Sequence, residues 1–506
     1  MSTPCIITVP PPAAQVADED ITAAVQRLLR TTRGVRSRLV EVATHGGVVA
    51  LSGCTNSLLA RQRTEGIALA VRGVRGVAST LAIQPADVPD AQLRHDVEQA
   101  LADDPATDDY DVRCEVAAGI VAPHGTVRSW AEQQLVLRVL AAVRGVRRVE
   151  VGHLHIGGGE VRNSDEEMTI QIRALLDWDL RVDGTRVRVR TTGQHVHLTG
   201  TVGTAAEHAH VVTTAYQAGA ARVEARTLRV APQAREPGGT PFVPRADADV
   251  ARAVREALSY SSGVLLAEPL VQAHGGVVTL AGTVASLRAR LGAEHEARHV
   301  AGVVGVHNLL KVRPGRIVTD AVVEQAVAAA LARHPDVGHC ALGVQVHEGK
   351  ACLRGQVGSY REWRQAGDVA AGVRGVLELD NQTTVPPPAE CTAADSAEAL
   401  GFQPSFLGED ALSPSQPAGD AVLAARIRSR YCWSAALHDQ QVDVAVEAGR
   451  ATLTGTVDTW LDRRQATREA YEAGAGDVDN RLHVTTAPWL EVETRVAQPE
   501  AVAVAP

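Results

Sequence analysis

The stretch Gly276-Val277-Val278-Thr279-Leu280-Ala281-Gly282-Thr283-Val284 recurs along the chain with small changes. Its apolar residues alternate with small or polar ones, which is the period of a half-buried β-strand. A short turn containing glycine and a second alternating run precede it, so the pair predicts a β-hairpin. The glycine near its end predicts a bulge or a tight exit from the second strand. The glycines at this position are Gly53, Gly125, Gly200, Gly282, Gly355 and Gly455.

An aspartate stands 35 residues before each of these glycines. Apolar residues follow it at the third, seventh and eleventh positions, and this spacing places them on one face of an α-helix. An aspartate at the start of a helix can accept a free backbone N–H of the first turn, so we predict that each one caps its helix. The six aspartates are Asp18, Asp90, Asp165, Asp247, Asp320 and Asp420.

A second helical stretch follows each hairpin, and a last alternating strand completes a unit of about 66 residues. The order is α-β-β-α-β. We predict an α+β fold in which two helices cover one face of a three-stranded sheet, in six tandem copies. The copies span 18–84, 90–156, 165–230, 247–313, 320–385 and 420–485, with a flexible linker at 386–419 and a disordered tail at 486–506.

The repeated unit resembles the BON domain, named for bacterial osmotically inducible and nodulation proteins. The resemblance is carried by 276–284 and by Val300-Ala301-Gly302-Val303-Val304-Gly305-Val306-His307-Asn308. Two copies depart from the pattern and are interpreted as degenerate. Copy two has Pro123 in the strand ending, and copy three has Ala218-Gly219-Ala220 where the second helix should end in a Gly-Val pair.

The resemblance implies a non-enzymatic protein, because BON domains are not known as catalytic. Members are mostly envelope proteins of the osmotic stress response that bind phospholipid surfaces or act as interaction modules, and some relatives bind a small cation. We therefore expect a stress-related multivalent scaffold with no cofactor, whose partners are anionic phospholipid surfaces or proteins. Six weak sites on one chain can give high avidity, and the copies can also associate with one another.

Composition excludes several other classes of function. The net charge of −9 disfavours general binding to a nucleic-acid backbone, and 3% aromatic residues leave few stacking platforms for bases. The seven scattered cysteines form no CxxC pair, which favours free thiols over a disulfide framework. We find neither a transmembrane stretch nor a secretory signal, so we expect a bacterial cytoplasmic protein, with a periplasmic or peripheral membrane location as the alternative.

The segment His295-Glu296-Ala297-Arg298-His299 suggests an alternative function as a zinc hydrolase. Two histidines four residues apart share a helix face and can bind Zn²⁺, with the glutamate as general base. The repeat argues against this interpretation, because the equivalent positions in copy one are Gly66, Ile67 and Ala70. We therefore predict no metal, with His295 and His299 as the candidates should one bind.

A metal or cation sensor is the remaining alternative, and it would use the scattered histidines or backbone carbonyls. The histidines that we single out in copies two and three are His153, His155, His195, His197, His208 and His210. Copy three also carries Arg186, Arg188 and Arg190 at alternating positions, which places all three on one sheet face. We interpret this row as a solvated outer face or as a local patch for anionic lipid headgroups.

Overall fold

The computed structural model describes residues 16–32, 39–85, 88–157, 164–231, 245–259, 269–315, 318–385 and 418–485. Within these ranges each copy contains the predicted α-β-β-α-β order, which confirms the α+β class and the tandem repeat. The helices are α1 Asp18–Thr31, α2 Leu58–Leu69, α3 Asp90–Asp103, α4 Trp130–Ala141, α5 Asp165–Trp178, α6 Ala205–Gln217, α7 Asp247–Ser259, α8 Leu287–Ala297, α9 Asp320–Arg333, α10 Tyr360–Ala371, α11 Ala418–Trp433 and α12 Trp460–Glu472.

Each sheet has the second strand of its copy in the centre, antiparallel to the first strand and parallel to the last. The last strand is split in two in copies one, two and six. The strands are β1 Val40–His45, β2 Val48–Thr55, β3 Gly76–Ser79, β4 Ala82–Ile83, β5 Val112–Ala117, β6 Ile120–Val127, β7 Arg148–Val149, β8 Leu154–Ile156, β9 Val187–Thr192, β10 His195–Val202, β11 Arg222–Val230, β12 Leu270–His274, β13 Val277–Val284, β14 Gly305–Val312, β15 Leu342–His347, β16 Lys350–Gly355, β17 Glu378–Asn381, β18 Gln441–Glu447, β19 Arg450–Val457, β20 Asp477–Asn480 and β21 His483–Val484.

The six repeat aspartates connect the first helix to the hairpin. In copy one both carboxylate oxygens of Asp18 accept backbone N–H groups of the turn, from Gly46 at 2.7 Å and Gly47 at 2.8 Å. The equivalent pair of bonds is present in all six copies. Both turn residues have positive φ, as a type I′ turn requires, and the carboxylate satisfies their outward-facing donors.

These bonds correct the prediction that the aspartates cap their own helices. Asp18, Asp90 and Asp320 are the first helical residues, and the residue before each makes no side-chain cap bond. Helix capping is a local interaction, whereas the observed contact joins positions 28 and 29 residues apart. The negative charge at the helix start still complements the helix dipole.

The repeat glycines lie inside the central strand at a close approach of two backbones. Gly53 has φ of +106°, and a Cβ at this position would lie 2.0 Å from the carbonyl oxygen of Leu39. All six have positive φ, and in copies one, two, three, five and six an added Cβ would meet a backbone oxygen at 2.6 Å or less. We had expected a bulge or a tight exit from the second strand at this glycine. In all copies except five the strand continues past it, and in five of the copies it marks a close approach to the backbone next to it.

Copy two accommodates Pro123 in its central strand because the last strand is interrupted there. β7 pairs with β6 at Ile120 and Val121, and β8 pairs again only from Gly125 onward. Pro123 falls in the gap and has no N–H to leave unpaired. Its other side faces Cys114 in the antiparallel register, so the hairpin is retained.

Each copy has its own apolar core between the two helices and the sheet. In copy five the helix stripe of Val323, Val327 and Leu331 packs with Ala351 and Leu353 of the central strand. The same arrangement recurs in the other copies. The stripe that the sequence predicted is therefore the core-facing side of the first helix.

The copies associate in three nested pairs: one with six, two with five, and three with four. In each pair the last residue of the first helix of one copy accepts a backbone hydrogen bond from the chain after the second helix of its partner. Copies two and five do so reciprocally, because Arg144 N donates to Arg333 O at 2.8 Å and Arg374 N donates to Asp103 O at 3.1 Å. Such mutual contacts are characteristic of a two-fold relationship.

Lateral contacts join the pairs into one particle. Trp130 of copy two stacks on Tyr216 of copy three, and Tyr360 of copy five stacks equivalently on Tyr471 of copy six. Leu287 of copy four is buried in the core of copy five, and Ala205 of copy three is buried in the core of copy one. These contacts connect copies one, two and three into one group and copies four, five and six into another. The three pairings join the two groups, which is the arrangement of a hexamer with dihedral symmetry, formed here by one chain.

The predicted linker and tail fall mainly outside the described residues. Of the linker only 418–419 is described, and none of 486–506 is. Cys5 and Cys391 also lie outside, whereas the five described cysteines are free thiols. Among the helices that the structure describes, none has the length and apolar character needed to cross a membrane.

Candidate functional site

The zinc-binding candidates lie at the junction of copies three and four. The rings of His295 and His299 are 4.4 Å apart between centroids, and His299 Nδ1 lies 2.6 Å from the carbonyl oxygen of His295. His299 is 5% exposed. Burial lowers the pKa of His295 to about 4 and that of His299 to about 3, so both imidazoles are neutral at pH 7.

The surroundings of this pair do not form a hydrolytic centre. Glu296, the carboxylate that would serve as general base, lies 3.7 Å from the guanidinium of Arg181 and forms an ion pair with it. Within the described ranges, neither His295 nor His299 belongs to a cluster of three metal-ligating groups. The zinc hydrolase interpretation therefore has no support in the geometry.

A polar network from copy three closes the same junction. The carboxylate of Asp179 contacts His210 Nε2 at 2.7 Å and the guanidinium of Arg181 at 2.8 Å. Burial opposes ionisation of Asp179, but the hydrogen bonds from His210 and Arg181 outweigh it and hold the pKa of Asp179 well below its usual range. This ionised carboxylate follows the end of α5, close to the backbone pairing with copy four, so the network has a structural role.

The histidines proposed for a cation sensor in copy three do not converge. His197 lies 3.2 Å from Glu224 on the outer sheet face, whereas His210 belongs to the network at the inner junction. His208 Nε2 lies 3.4 Å from the carbonyl oxygen of Ala225. In copy two, His153 stacks on His124 at 4.5 Å between centroids. His197 with Glu224, His210 with Asp179 and His153 with His124 are therefore separate pairs at different places, and none of these histidines belongs to a group of three metal-ligating side chains among the described residues.

An arginine-rich cavity of about 790 Å³ lies where copies one, two, four and five meet. Four of its arginines contact an aspartate, and three of these contacts join different copies. Arg63 of copy one contacts Asp336 of copy five, Arg288 of copy four contacts Asp104 of copy two, and Arg333 of copy five contacts Asp103 of copy two at 2.5 Å. These ion pairs hold the two groups of three copies together.

The outer face of the copy-three sheet is strongly basic. Arg188 and Arg190 are exposed on β9, while Arg186 is held by Asp183 at 3.0 Å. The opposite edge strand, β11, adds three further exposed arginines that we had not singled out. We refer to the five exposed residues as the basic face: Arg188, Arg190, Arg222, Arg226 and Arg229. Strand alternation in β11 predicts the outward direction of Arg222. Beyond Glu224 an extra residue in β11 forms a bulge opposite 197–199 of β10 and shifts the register for the rest.

Copy four, the partner of copy three, has an apolar outer row. Leu270 is 59% exposed and Leu309 is 61% exposed. Both residues pair with Ala281 of the central strand, one from each side, so the three form one line across the sheet. Exposed leucines on the two strands that flank the central strand are a surface that a partner or a membrane can cover.

Comparison with known proteins places the chain in a family. The model of the BON domain matches residues 17–85, 89–158, 164–232, 246–314, 319–387 and 419–486. The chain belongs to the BON domain family, and the matches include copies two and three, which we had interpreted as degenerate. No curated protein matches the chain.

Solved structures with detectable similarity include CdsD, described as a structural protein of the type III secretion system of Chlamydia trachomatis. One CdsD structure is 16% identical, covers 50% of this chain and 99% of its own, and superposes with a TM-score of 0.12. The C-terminal domain of the same protein is 14% identical, covers 47% of this chain and 99% of its own, and has a TM-score of 0.12. Similarity at this level carries no conclusion about function.

Proposed function

We propose that the protein is a non-enzymatic, multivalent scaffold that binds anionic phospholipid surfaces through the basic face of copy three. We further propose that it acts in the osmotic stress response, with which the BON family is associated. The observation that carries it is the concentration of five exposed arginines on one sheet, in a chain whose net charge is −9. Glu224 is the carboxylate facing outward between them, and it contacts His197 at 3.2 Å.

The outer faces of copies five and six differ from it in charge. On copy six, Asp443 and Glu447 are exposed, and Arg450 is engaged by Asp477 at 3.2 Å. On copy five the basic residues of the central strand are Lys350 and Arg354, which alternate with Cys352. A chain that contacts a negative surface is therefore oriented by copy three, because that face is attracted while an acidic face is repelled.

The apolar row of copy four supports contact with lipid in particular. Headgroup attraction alone is screened by salt, whereas leucines that enter the interface add a contribution that is not. Leu270 and Leu309 belong to the copy that pairs directly with copy three. The helices and the junctions between copies lie inside the particle. The outer sheet faces of the other copies are therefore free for further partners, which is the basis of the scaffold role.

Charge reversal on the basic face is expected to weaken binding to anionic vesicles. Each basic residue near a charged membrane contributes about 1 kcal/mol, so the triple variant Arg188→Glu, Arg190→Glu, Arg222→Glu loses at least about 3 kcal/mol, or roughly 100-fold in affinity. The measurement is co-sedimentation with phosphatidylserine-containing vesicles, against phosphatidylcholine vesicles as the neutral reference.

The matched control reverses Lys350 and Arg354, two basic residues on the outer face of copy five, and should bind like the unaltered protein. Leu270→Ser with Leu309→Ser should remove the part of the binding that resists high salt. Equal sedimentation of the triple variant and the unaltered protein would refute the lipid proposal. Loss of binding in the control as well would assign the effect to overall charge, and capture of an acidic protein in place of lipid would assign the face to a protein partner.

A further inference from the structure

Three ligand-type side chains converge in copy five at a place that the proposed lipid contact does not use. Cys340 Sγ lies 3.7 Å from His339 Nε2 and 3.9 Å from Glu362 Oε2. All three ligand atoms lie within 4.8 Å of one another. Among the described residues, these three side chains are the group found close enough together to bind one metal ion. Two come from the loop between α9 and β15, and the third comes from the first turn of α10.

Two of the three separations are close to those between ligands around one zinc ion. Zinc binds thiolate sulfur at about 2.3 Å, imidazole nitrogen at about 2.0–2.1 Å and carboxylate oxygen at about 2.0–2.2 Å, usually in a tetrahedron. At a tetrahedral angle these bond lengths place neighbouring ligand atoms about 3.3–3.6 Å apart. The observed 3.7 and 3.9 Å are a few tenths of an ångström longer, within reach of a side-chain rotation.

The repeat provides the carboxylate and orients it. Glu362 Oε2 accepts the backbone N–H of Gly358 at 2.6 Å, and Glu132 of copy two and Glu207 of copy three make the same bond. Glu362 is therefore a structural residue of the helix start, held in place before any ion binds. A ligand fixed by a second hydrogen bond loses less freedom on binding a metal.

The two residues specific to copy five are the histidine and the cysteine. Copy two has Asp109 and Tyr110 at these positions, and the Tyr110 hydroxyl contacts Glu132. The fold thus directs this loop position at the helix carboxylate in both copies. In copy five it presents a thiol there, with an imidazole beside it.

We propose that His339, Cys340 and Glu362 form a Zn²⁺ site whose fourth position is open to water or to a ligand from another molecule. The mixture of sulfur, nitrogen and oxygen donors suits zinc and is unsuited to Ca²⁺ or Mg²⁺, which take oxygen ligands. His339 is exposed and the other two are half-buried, so an ion can enter from solvent. The ion joins the loop to α10.

Zinc binds the thiolate form of cysteine, so the thiol proton of Cys340 passes to solvent when the metal binds.

The test is a titration of the full-length, chelator-treated protein with Co²⁺, followed by displacement with Zn²⁺. One equivalent of Co²⁺ should produce a near-ultraviolet thiolate-to-cobalt charge-transfer band and the visible bands of a tetrahedral site, and Zn²⁺ should abolish both. Cys340→Ser should remove the charge-transfer band. Glu362→Gln, which can still accept from Gly358, should weaken Zn²⁺ binding by roughly tenfold or more in competition with a chromophoric chelator.

Cys432→Ser, at an exposed cysteine of copy six, and Cys352→Ser, on the outer sheet face of copy five, are the matched controls and should keep the full spectrum. Circular dichroism of each variant checks that it is folded. Should Cys340→Ser fail to fold, His339→Ala at the exposed ligand serves instead, with the expected loss of the tetrahedral bands. The site is refuted if the unaltered protein shows no thiolate band at one equivalent, or if the band persists in Cys340→Ser.

Discussion

Replacing Gly53 by alanine is expected to destabilise copy one by at least about 4 kcal/mol, which is exceptional for a single methyl group. The new Cβ would lie 2.0 Å from the carbonyl oxygen of Leu39, and this oxygen belongs to backbone that cannot rotate away. The φ of +106° adds strain for any residue with a side chain. The hairpin must therefore open at the register pair of Val40 and Gly53.

The control for this prediction is Gly66→Ala in the same copy. Gly66 lies inside α2, and a Cβ there would have no atom within 4 Å. Alanine is the better helix former, so this variant should be more stable by up to about 1 kcal/mol. Urea unfolding followed by circular dichroism, with hydrogen exchange to locate the change in copy one, separates the two variants. Similar stabilities for Gly53→Ala and Gly66→Ala would contradict the close backbone approach.

Asp336→Ala is expected to cost about 3–5 kcal/mol, because it breaks an ion pair buried between distant copies. Asp336 contacts Arg63 across the junction, and their side chains are 10% and 5% exposed. The pKa of the neighbouring Arg361 is already lowered to about 10, mainly by burial and to a smaller extent by the charge of Arg63. Without the carboxylate, Arg63, Arg361 and His334 would remain as neighbouring basic groups.

The pair of Asp477 and Arg450 serves as the control for this prediction. Their side chains are 59% and 58% exposed, and the contact at 3.2 Å lies within copy six. An exposed ion pair contributes less than about 1 kcal/mol, so Asp477→Ala should be nearly neutral. The double variant Arg63→Met, Asp336→Ala should recover part of the lost stability, since it removes one of the basic groups left behind. Equal effects of Asp336→Ala and Asp477→Ala would mean that copies one and five do not meet.

The sequence was sufficient to predict the fold of each copy, because its signals are local. Alternation identified the strands, apolar spacing identified the first helix, and glycine identified the hairpin turn. The role of the repeat aspartates was predicted wrongly for a physical reason. Their side chains reach a turn that is close in space and distant in sequence. In the sequence, an aspartate that binds such a turn looks the same as an aspartate that caps its own helix.

The arrangement of the copies could not be predicted, because its pairing contacts use backbone atoms. Arg144 donates its N–H to Arg333, and Ala301 donates equivalently to Trp178, with no shared side-chain type. None of the three proposed zinc ligands was singled out from the sequence: Glu362 lies 22 residues after Cys340, and only folding of the α10 start against the loop joins them. Of the basic face, Arg188 and Arg190 were found from alternation, whereas the β11 arginines needed the sheet order.

The central claim is that six BON domains of one chain form a single closed particle, and small-angle X-ray scattering of the full-length protein tests it most directly. A compact chain of 506 residues has a radius of gyration of roughly 25 Å, and we expect a value near this with a bell-shaped Kratky curve. Six separate modules in a row, each of about 66 residues, would exceed roughly 40 Å. A radius in that upper range, or one that shifts with salt as independent modules rearrange, would contradict the nested pairing.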